Sequence, residues 1–337
     1  MIPHFVIPVH EPNQVGEARR VAVRLAGELG FRDVAIGRVA LIVTELGTNL
    51  HRHAVEGRLL IAGIQGPSGT SLEVLSLDRG PGMADMKECL RDGYSTGGTA
   101  GTGLGAVRRL AAQFSAFSSI GRGSVVLARV SDPSSLEAAA RRPSRFEYAG
   151  IAIAAPNETV SGDAWGFSDQ GACSTLMVAD GLGHGPDAAE AADKAVQLLH
   201  GNLSGSPSLV LERTHQALRA TRGAAVAVAQ MNAEAGTITY CGAGNIAGRL
   251  ISGVDDRSLL SHNGTIGLQV RKLHDTQYPW PEHAMLVLCS DGITTRWDLK
   301  DDPALLQCDP AVIAGWVMRD HCRGRDDATV VVVKRSE

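Results

Sequence analysis

Three apolar runs in this 337-residue chain stop on an aspartate with a glycine close behind. They are SLEVLSLDRG at Asp78, STLMVADG at Asp180 and MLVLCSDG at Asp291. A fourth run has the opposite order: in RDDATVVVVK, Asp326 and Asp327 lead into the apolar stretch. Short apolar runs bounded by turn residues read as buried strands. Asp-Gly pairs favour tight turns, because Asp bonds to nearby backbone and Gly accepts positive φ. The chain is therefore expected to fold around sheets that carry carboxylates at their strand ends. Packed strands can bring such ends to one point, and converged carboxylates repel unless a cation lies between them.

The turns also account for the composition. The chain has 39 glycines, well above the ~7% of an average protein. No Gly-X-Y period accompanies them, which excludes collagen. Most of the excess falls in DRGPG, GGTAGTGLG, DGLGHG and CGAGN. The last of these suggests no chemistry of its own.

Length and composition predict two globular domains. The segment SDPSSLEAAARRPSR, Ser131 to Arg145, carries two prolines and four serines between two strand-like runs, so it reads as a linker. The expected division is residues 1–130, a linker at 131–145, and residues 146–337. In the first half, helices are expected at Glu17–Leu29, Val34–Ala54 and Leu104 to about Gln113. Strands are expected at Leu59–Ile64, Ser71–Leu77 and Ser124–Val130. That order suits an α+β sandwich with one helical layer. The second half reads as strands near Tyr148–Ala154, Cys173–Ala179, Ala224–Asn232, Thr237–Cys241, Ala247–Ile251, Met285–Ser290 and Ala328–Val333. Helices are expected at Pro186–Leu199 and Leu209–Ala220, flanking a β-sandwich.

Several function classes are excluded at this level. With 32 basic and 36 acidic residues the net charge is −4, which gives no electrostatic footprint for nucleic acid. Six cysteines lack CxxC spacing, so neither a disulfide framework nor a zinc site is expected. The N-terminus is broken by prolines and has no signal-peptide pattern, and no apolar run approaches the ~20 residues of a membrane helix. A cytoplasmic protein is expected.

Two constellations carry chemistry. In the first half, Glu45 and Asn49 lie four residues apart on one helix face. DRGPG follows a strand, and the glycine run STGGTAGTGLGAVRRL leads into a helix. A glycine-rich loop at a helix N-terminus offers unpaired N–H groups to phosphate oxygens. Asn49 can give its carbonyl oxygen to magnesium, and Glu45 can activate a hydroxyl or water. Asp78 can accept from a base's exocyclic amine, while Gly80 and Gly82 let backbone approach the ring. In the second half, Asp163, Asp180, Asp291, Asp326 and Asp327 offer hard oxygen ligands, which suit magnesium or manganese. Two such ions can bridge a water and aim it at phosphorus. His51, His53 and His184 read as rim or structural residues.

The first constellation resembles the Bergerat-type ATP-binding fold, and most closely its small RsbT/RsbW-like serine kinases, over about residues 10 to 130. The resemblance implies that Asn49 binds magnesium and Asp78 adenine. It implies too that Gly101, Gly103, Leu104 and Gly105 close over the phosphates of ATP, with Glu45 as catalytic base. The chain shows no dimerisation helix with an acceptor histidine, which argues against a sensor histidine kinase. The second constellation, GD…DGxGHG…SDG…DDAT over about residues 146 to 335, resembles the SpoIIE/RsbX branch of metal-dependent Ser/Thr phosphatases and implies an αββα sandwich. There Asp180 bridges two manganese or magnesium ions, the Gly181 carbonyl completes a shell, Asp163 serves one ion, and Asp291 and Asp326 serve the other. Asp327 holds a place often taken by Asn in the wider family and ranks below Asp326.

Together these imply a bifunctional regulator with kinase and phosphatase activities on STAS-domain anti-anti-sigma or stressosome-type proteins. A sigma factor or downstream regulator is a further partner of this class, and relatives of the first domain often dimerise. The alternative is a phosphatase whose first domain only binds or senses nucleotide.

Overall fold

The computed structural model describes residues 3–66, 69–90, 103–132, 144–171, 173–201 and 205–336. Most of the expected linker, and the glycine run through Gly101, lie outside these residues. The chain divides into two compact units. One comprises His4–Pro143 with Gln307–Arg319, the other Ser144–Leu306 with Asp320–Glu337.

The first unit contains β1 (Phe5–Pro8), α1 (Pro12–Glu28), α2 (Asp33–His53), β2 (Arg58–Gly66), β3 (Gly69–Asp78), α3 (Met86–Cys89), α4 (Gly103–Leu110), β4 (Gln113–Ser119) and β5 (Gly123–Ser131). Its strands form one antiparallel sheet in the order β1-β2-β3-β5-β4. Alternation along each strand divides the side chains between two faces. Leu59, Ile61, Leu72, Val74, Val126 and Ala128 pack under the helices against Ala22, Leu25, Val39, Ile42, Val43 and Leu46. The alternate set, Leu60, Leu75, Leu77, Val125 and Leu127, is buried as well. The expected third helix stops at Leu110, and Gln113 instead opens strand β4.

The second unit contains β6 (Phe146–Ile153), β7 (Asp163–Gln170), β8 (Cys173–Gly181), α5 (Pro186–His200), α6 (Pro207–Ala217), β9 (Ala224–Asn232), β10 (Thr237–Ala243), β11 (Ala247–Ile251), β12 (Asp256–Leu259), β13 (Gly264–Thr265), β14 (Gln269–Val270), β15 (Thr276–Pro279), β16 (Met285–Cys289) and β17 (Ala328–Arg335). Two five-stranded sheets, β15-β10-β9-β8-β7 and β12-β11-β16-β17-β6, share a core. Leu176, Val178, Ala227 and Ala229 of the first meet Leu286, Leu288, Val331 and Val333 of the second. The odd partners in β8, Met177 and Ala179, face the other way and pack under α5 and α6 with Ala192, Ala195, Val210 and Leu211. None of the six cysteines is in a disulfide.

One helix of the second half, α7 (Pro310–His321), contributes its first ten residues to the first unit. Pro310 through Arg319 are all buried. Asp309 caps it by accepting the Ala311 N–H at 2.8 Å, and it also accepts from Gln113 at 2.6 Å and Arg129 at 3.2 Å. Trp316 meets Phe117 edge-on, with ring centroids 4.9 Å apart. The Arg319 guanidinium donates to the Asp78 carbonyl at 2.8 Å, and its own carbonyl accepts from Arg58 and Arg79 at 3.0 and 2.7 Å. No helix among the described residues is long and apolar enough to cross a membrane.

Candidate functional site

In the first unit, α2 presents Glu45 and Asn49 half-buried, one turn apart. Gly103, the first residue of α4, lies against both. A Cβ placed on it would stand 3.4 Å from Glu45 Oε2 and 3.4 Å from Asn49 Nδ2. Glycine at this position leaves the backbone open beside a carboxylate and an amide. Leu104 packs partly buried on the core and Gly105 is buried, which anchors the first turn of α4.

Asp78 ends β3 and is buried. Its Oδ1 accepts the Gly80 N–H at 2.7 Å, and its Oδ2 accepts the Ser124 hydroxyl from β5. Each carboxylate oxygen has a further lone pair, so capacity for a ligand donor remains. A Cβ on Gly80 would stand 2.8 Å from Asp78 Oδ1 and 2.9 Å from the His53 carbonyl, so backbone alone fits there. Gly82 has φ +73°. Ser124 and Arg319 were not foreseeable from the motifs. His51 and His53 are exposed at the end of α2.

In the second unit, Asp163 opens β7 and pairs in register with Asp180 near the end of β8. The Ser290 hydroxyl donates to Asp163 Oδ2 at 2.6 Å and accepts the Thr329 N–H at 2.9 Å. That bridge joins β7, the end of β16 and the start of β17. Asp327 accepts the Ala155 N–H at 2.8 Å through Oδ1. The Gly181 N–H donates to the Gly162 carbonyl at 2.9 Å. Asn245 donates to Asp291 at 2.7 Å, and His184 Nδ1 pairs with Glu158 at 2.7 Å. Asp326 is exposed while Asp327 is 3% exposed. The two adjacent aspartates, just before β17, thus differ in burial.

The acids are only partly compensated by their neighbours, which include Ser290, Asn245 and Arg323. Burial pushes the Asp163 carboxyl up, and the charges of Asp327 and Asp291 add to the shift. Asp180 is raised by burial, then by Asp163, Asp291, Asp326 and Asp327. Asp291 and Asp327 are raised by burial and by Asp326. Asp163 Oδ1 and Asp327 Oδ2 are buried without a close hydrogen-bond partner, though Thr329 and the Gly162 N–H lie near enough to lower the two acids. Buried polar atoms are rarely left so in folded proteins, and a cation is one explanation. The all-oxygen donor set fits magnesium or manganese. Among the described residues no three acidic, His or Cys side chains close around a single point. A cation here would therefore draw on carbonyl oxygens and water too, as hard cations commonly do.

Residues 9–130 match the histidine kinase-like ATPase domain family, and residues 170–336 match the stage II sporulation protein E family. The serine/threonine-protein kinase RsbT of Bacillus subtilis (strain 168) is 34% identical over 111 residues, which is 33% of this chain and 84% of RsbT. The chain joins an RsbT-like ATPase domain to a SpoIIE-type phosphatase domain. For the SpoIIE-type domain, the phosphoserine phosphatase RsbX of the same organism is 30% identical over 89 residues, 26% of this chain and 45% of RsbX. A solved structure of RsbX in complex with magnesium covers 58% of this chain and 98% of its own, at 21% identity and a TM-score of 0.51, and shares the fold. A structure from work on the bacterial stressosome covers 57% of this chain and 100% of its own, at 26% identity and a TM-score of 0.52.

Proposed function

We propose that this chain is a bifunctional regulator that both adds and removes phosphate on serine or threonine of a partner-switching protein. Its SpoIIE-type domain acts as a metal-dependent phosphatase, and its RsbT-like domain acts as a protein kinase. The observation that carries the first activity is the set of raised, mutually repelling carboxylates with two orphaned oxygens, Asp163 Oδ1 and Asp327 Oδ2. Asp180 and the Gly181 carbonyl would help hold two divalent cations, with Asp163 serving one ion and Asp291 and Asp326 the other. Asp327 would assist from its buried position. When bound, such cations neutralise the acids and lower the pKa of water beside a phosphorus atom. The chain's own residues do the rest. Ser290 fixes the orientation of Asp163 by its hydrogen bond, and Asn245 does the same for Asp291.

The kinase reading rests on Glu45 standing beside Asn49 at the start of α4. Asp78 would accept from the exocyclic amine of adenine, and Asn49 would carry magnesium against the phosphates. Backbone N–H groups from Gly103 to Gly105, and Gly101 in the preceding run, would donate to phosphate oxygens. Glu45 would take the proton from a seryl hydroxyl as its oxygen bonds to the γ-phosphorus and the bond to the β-phosphate oxygen breaks, leaving ADP. RsbT and RsbX are named as a kinase and a phosphoserine phosphatase, which supports the pairing of opposed activities. STAS-domain or stressosome-type proteins are the substrate class this reading favours.

A mixing assay tests it. Purified protein, labelled ATP, Mg2+ and Mn2+ and a STAS-domain protein from the same genome should show gain of label, then loss once ATP is consumed. Glu45→Ala should abolish the gain and leave the loss. Labelling by Glu45→Ala at the wild-type rate would remove Glu45 from the role of base.

A further inference from the structure

Beside the carboxylates of the SpoIIE-type domain lies a cavity of about 390 Å³ lined by two acids and two bases, Asp291, Asp326, Arg323 and Arg325. The acids belong to the proposed metal set. The bases do not: the Arg323 charge partly offsets the burial of Asp291, and both guanidinium groups border the open space. A guanidinium stays charged at any physiological pH and repels divalent cations, so a cavity that served only to hold metal would be better without two of them.

Both arginines are exposed, on the short loop between α7 and β17. The loop is tied to the acid it faces. The Arg323 N–H donates to the Gly292 carbonyl at 2.8 Å, one residue beyond Asp291, and Cys322 pairs with Ile293. Among the described residues neither guanidinium takes part in a salt bridge. By contrast Arg222, the basic side chain beside Gly183, is held by Asp187 at 2.7 Å. The guanidinium fork presents paired N–H donors whose spacing matches two oxygens of a phosphate, and such charge-assisted bonds are strong.

We propose that Arg323 and Arg325 form the phosphate-binding wall of this cavity, taking the phosphoryl oxygens of a phosphoserine or phosphothreonine side chain opposite the carboxylates. This rests on the phosphatase reading above. Each arginine donates to oxygens that stay on phosphorus throughout hydrolysis, so substrate and the inorganic phosphate product are held alike. The pair thus sets affinity for a phosphomonoester dianion, and it selects against neutral or monoanionic esters.

The test compares wild type with Arg323→Ala, Arg325→Ala, the double variant and Arg323→Lys, each checked for a native melting transition. Steady-state hydrolysis of a phosphoserine peptide with Mn2+ gives KM and kcat. Calorimetry gives Mn2+ affinity without substrate, and the affinity of the Mn2+-loaded protein for inorganic phosphate. Each alanine variant should raise KM and weaken phosphate binding about tenfold, the size of one lost charge-assisted hydrogen bond. Mn2+ affinity should hold or improve, and Arg323→Lys should fall between alanine and wild type. Unchanged KM and phosphate affinity in the double variant, with active wild type, would overturn the proposal and leave the phosphatase reading intact. So would loss of Mn2+ affinity without a change in phosphate binding, since the arginines would then serve the metal loop. Should wild type hydrolyse nothing yet bind phosphate in an arginine-dependent way, the phosphatase reading fails and the anion site stands.

Discussion

Both units bury carboxylates, and the two burials have opposite consequences. In the RsbT-like unit, Glu73 on β3 is 2% exposed. Arg129 meets it at 2.7 Å and His4 at 3.2 Å, and Asp309 in turn accepts from Arg129. Burial alone would raise its pKa, yet the Arg129 charge and the His4 hydrogen bond hold it down to about 2. In the SpoIIE-type unit, Asp163 is 3% exposed and its charged neighbours include acids, so its pKa goes up. The chemical group is the same and so is the depth. A carboxylate whose partners are built into the fold belongs to the scaffold. One whose charged neighbours are mostly acids is of the kind often found at functional sites.

The most severe way to break this comparison is to alter Asp180, which feels four other acids. Asp180→Asn should abolish Mn2+-dependent hydrolysis of a phosphoserine peptide. The loss should exceed the ~100-fold that accompanies removal of an outer-shell partner at metal sites. The labelling step of the mixing assay should survive, because the first unit is untouched. Retention of full hydrolytic activity would sink the two-cation mechanism.

Glu73 gives the next largest effect. Glu73→Gln removes one member of a buried pair, leaving Arg129 with Asp309 alone and His4 without its acid. Such a break costs about 3–5 kcal/mol, which should appear as an earlier urea transition of the first unit. The acid branch of the wild-type stability curve sharpens the point. The folded pKa of Glu73 lies below its ordinary 4.5, so the unfolded chain binds the proton more readily. Its contribution is therefore complete above about pH 4.5 and drains away as pH falls toward 2. The glutamine variant should lack that part of the acid transition. An unchanged midpoint at neutral pH would mean that Glu73 and Arg129 contribute no net stability.

How much of this the sequence reveals follows from which signals are local. The strands that end on Asp78, Asp180 and Asp291 are visible because each is a short apolar run with a turn behind it, and so are the carboxylates they carry. Helices α2 and α5 are visible because one face of each is apolar. Helix α7 is not, because its residues Pro310 to Arg319 are buried all round and leave no stripe for periodicity to find. Its place in the first unit depends on Trp316 meeting Phe117, some two hundred residues away in sequence, and on Arg319 reaching Asp78. Strand β4, QFSAFSS, alternates too weakly to stand out from the end of α4. At the sites, Ser124, Ser290 and Asn245 are single polar residues in ordinary surroundings, and only the fold brings them to an acid. That Asp326 is exposed and Asp327 buried is a matter of register that two adjacent aspartates cannot disclose.

The smallest expected effect is the one that tests the contrast most directly. Asp163→Asn keeps the shape of the side chain and an oxygen for the Ser290 hydroxyl, but deletes a buried charge whose neighbours include acids. Without metal, the raised acids of this unit bind protons more tightly folded than unfolded. Their contribution to stability is therefore complete below the ordinary carboxylate range, near pH 4, and is lost as pH rises through the elevated values. At pH 8, with a chelator present, the asparagine variant should melt higher than wild type by a few degrees, about what 1 kcal/mol gives a domain of this size. At pH 5 the two should converge, since wild type can then take up the proton. Added Mn2+ should reverse the order, because it stabilises wild type by mass action and finds a weakened site in the variant. Melting curves at the two pH values, with chelator and with Mn2+, decide it. If the variant melts lower than wild type at pH 8 without metal, Asp163 is compensated within the fold after all, and it belongs with Glu73.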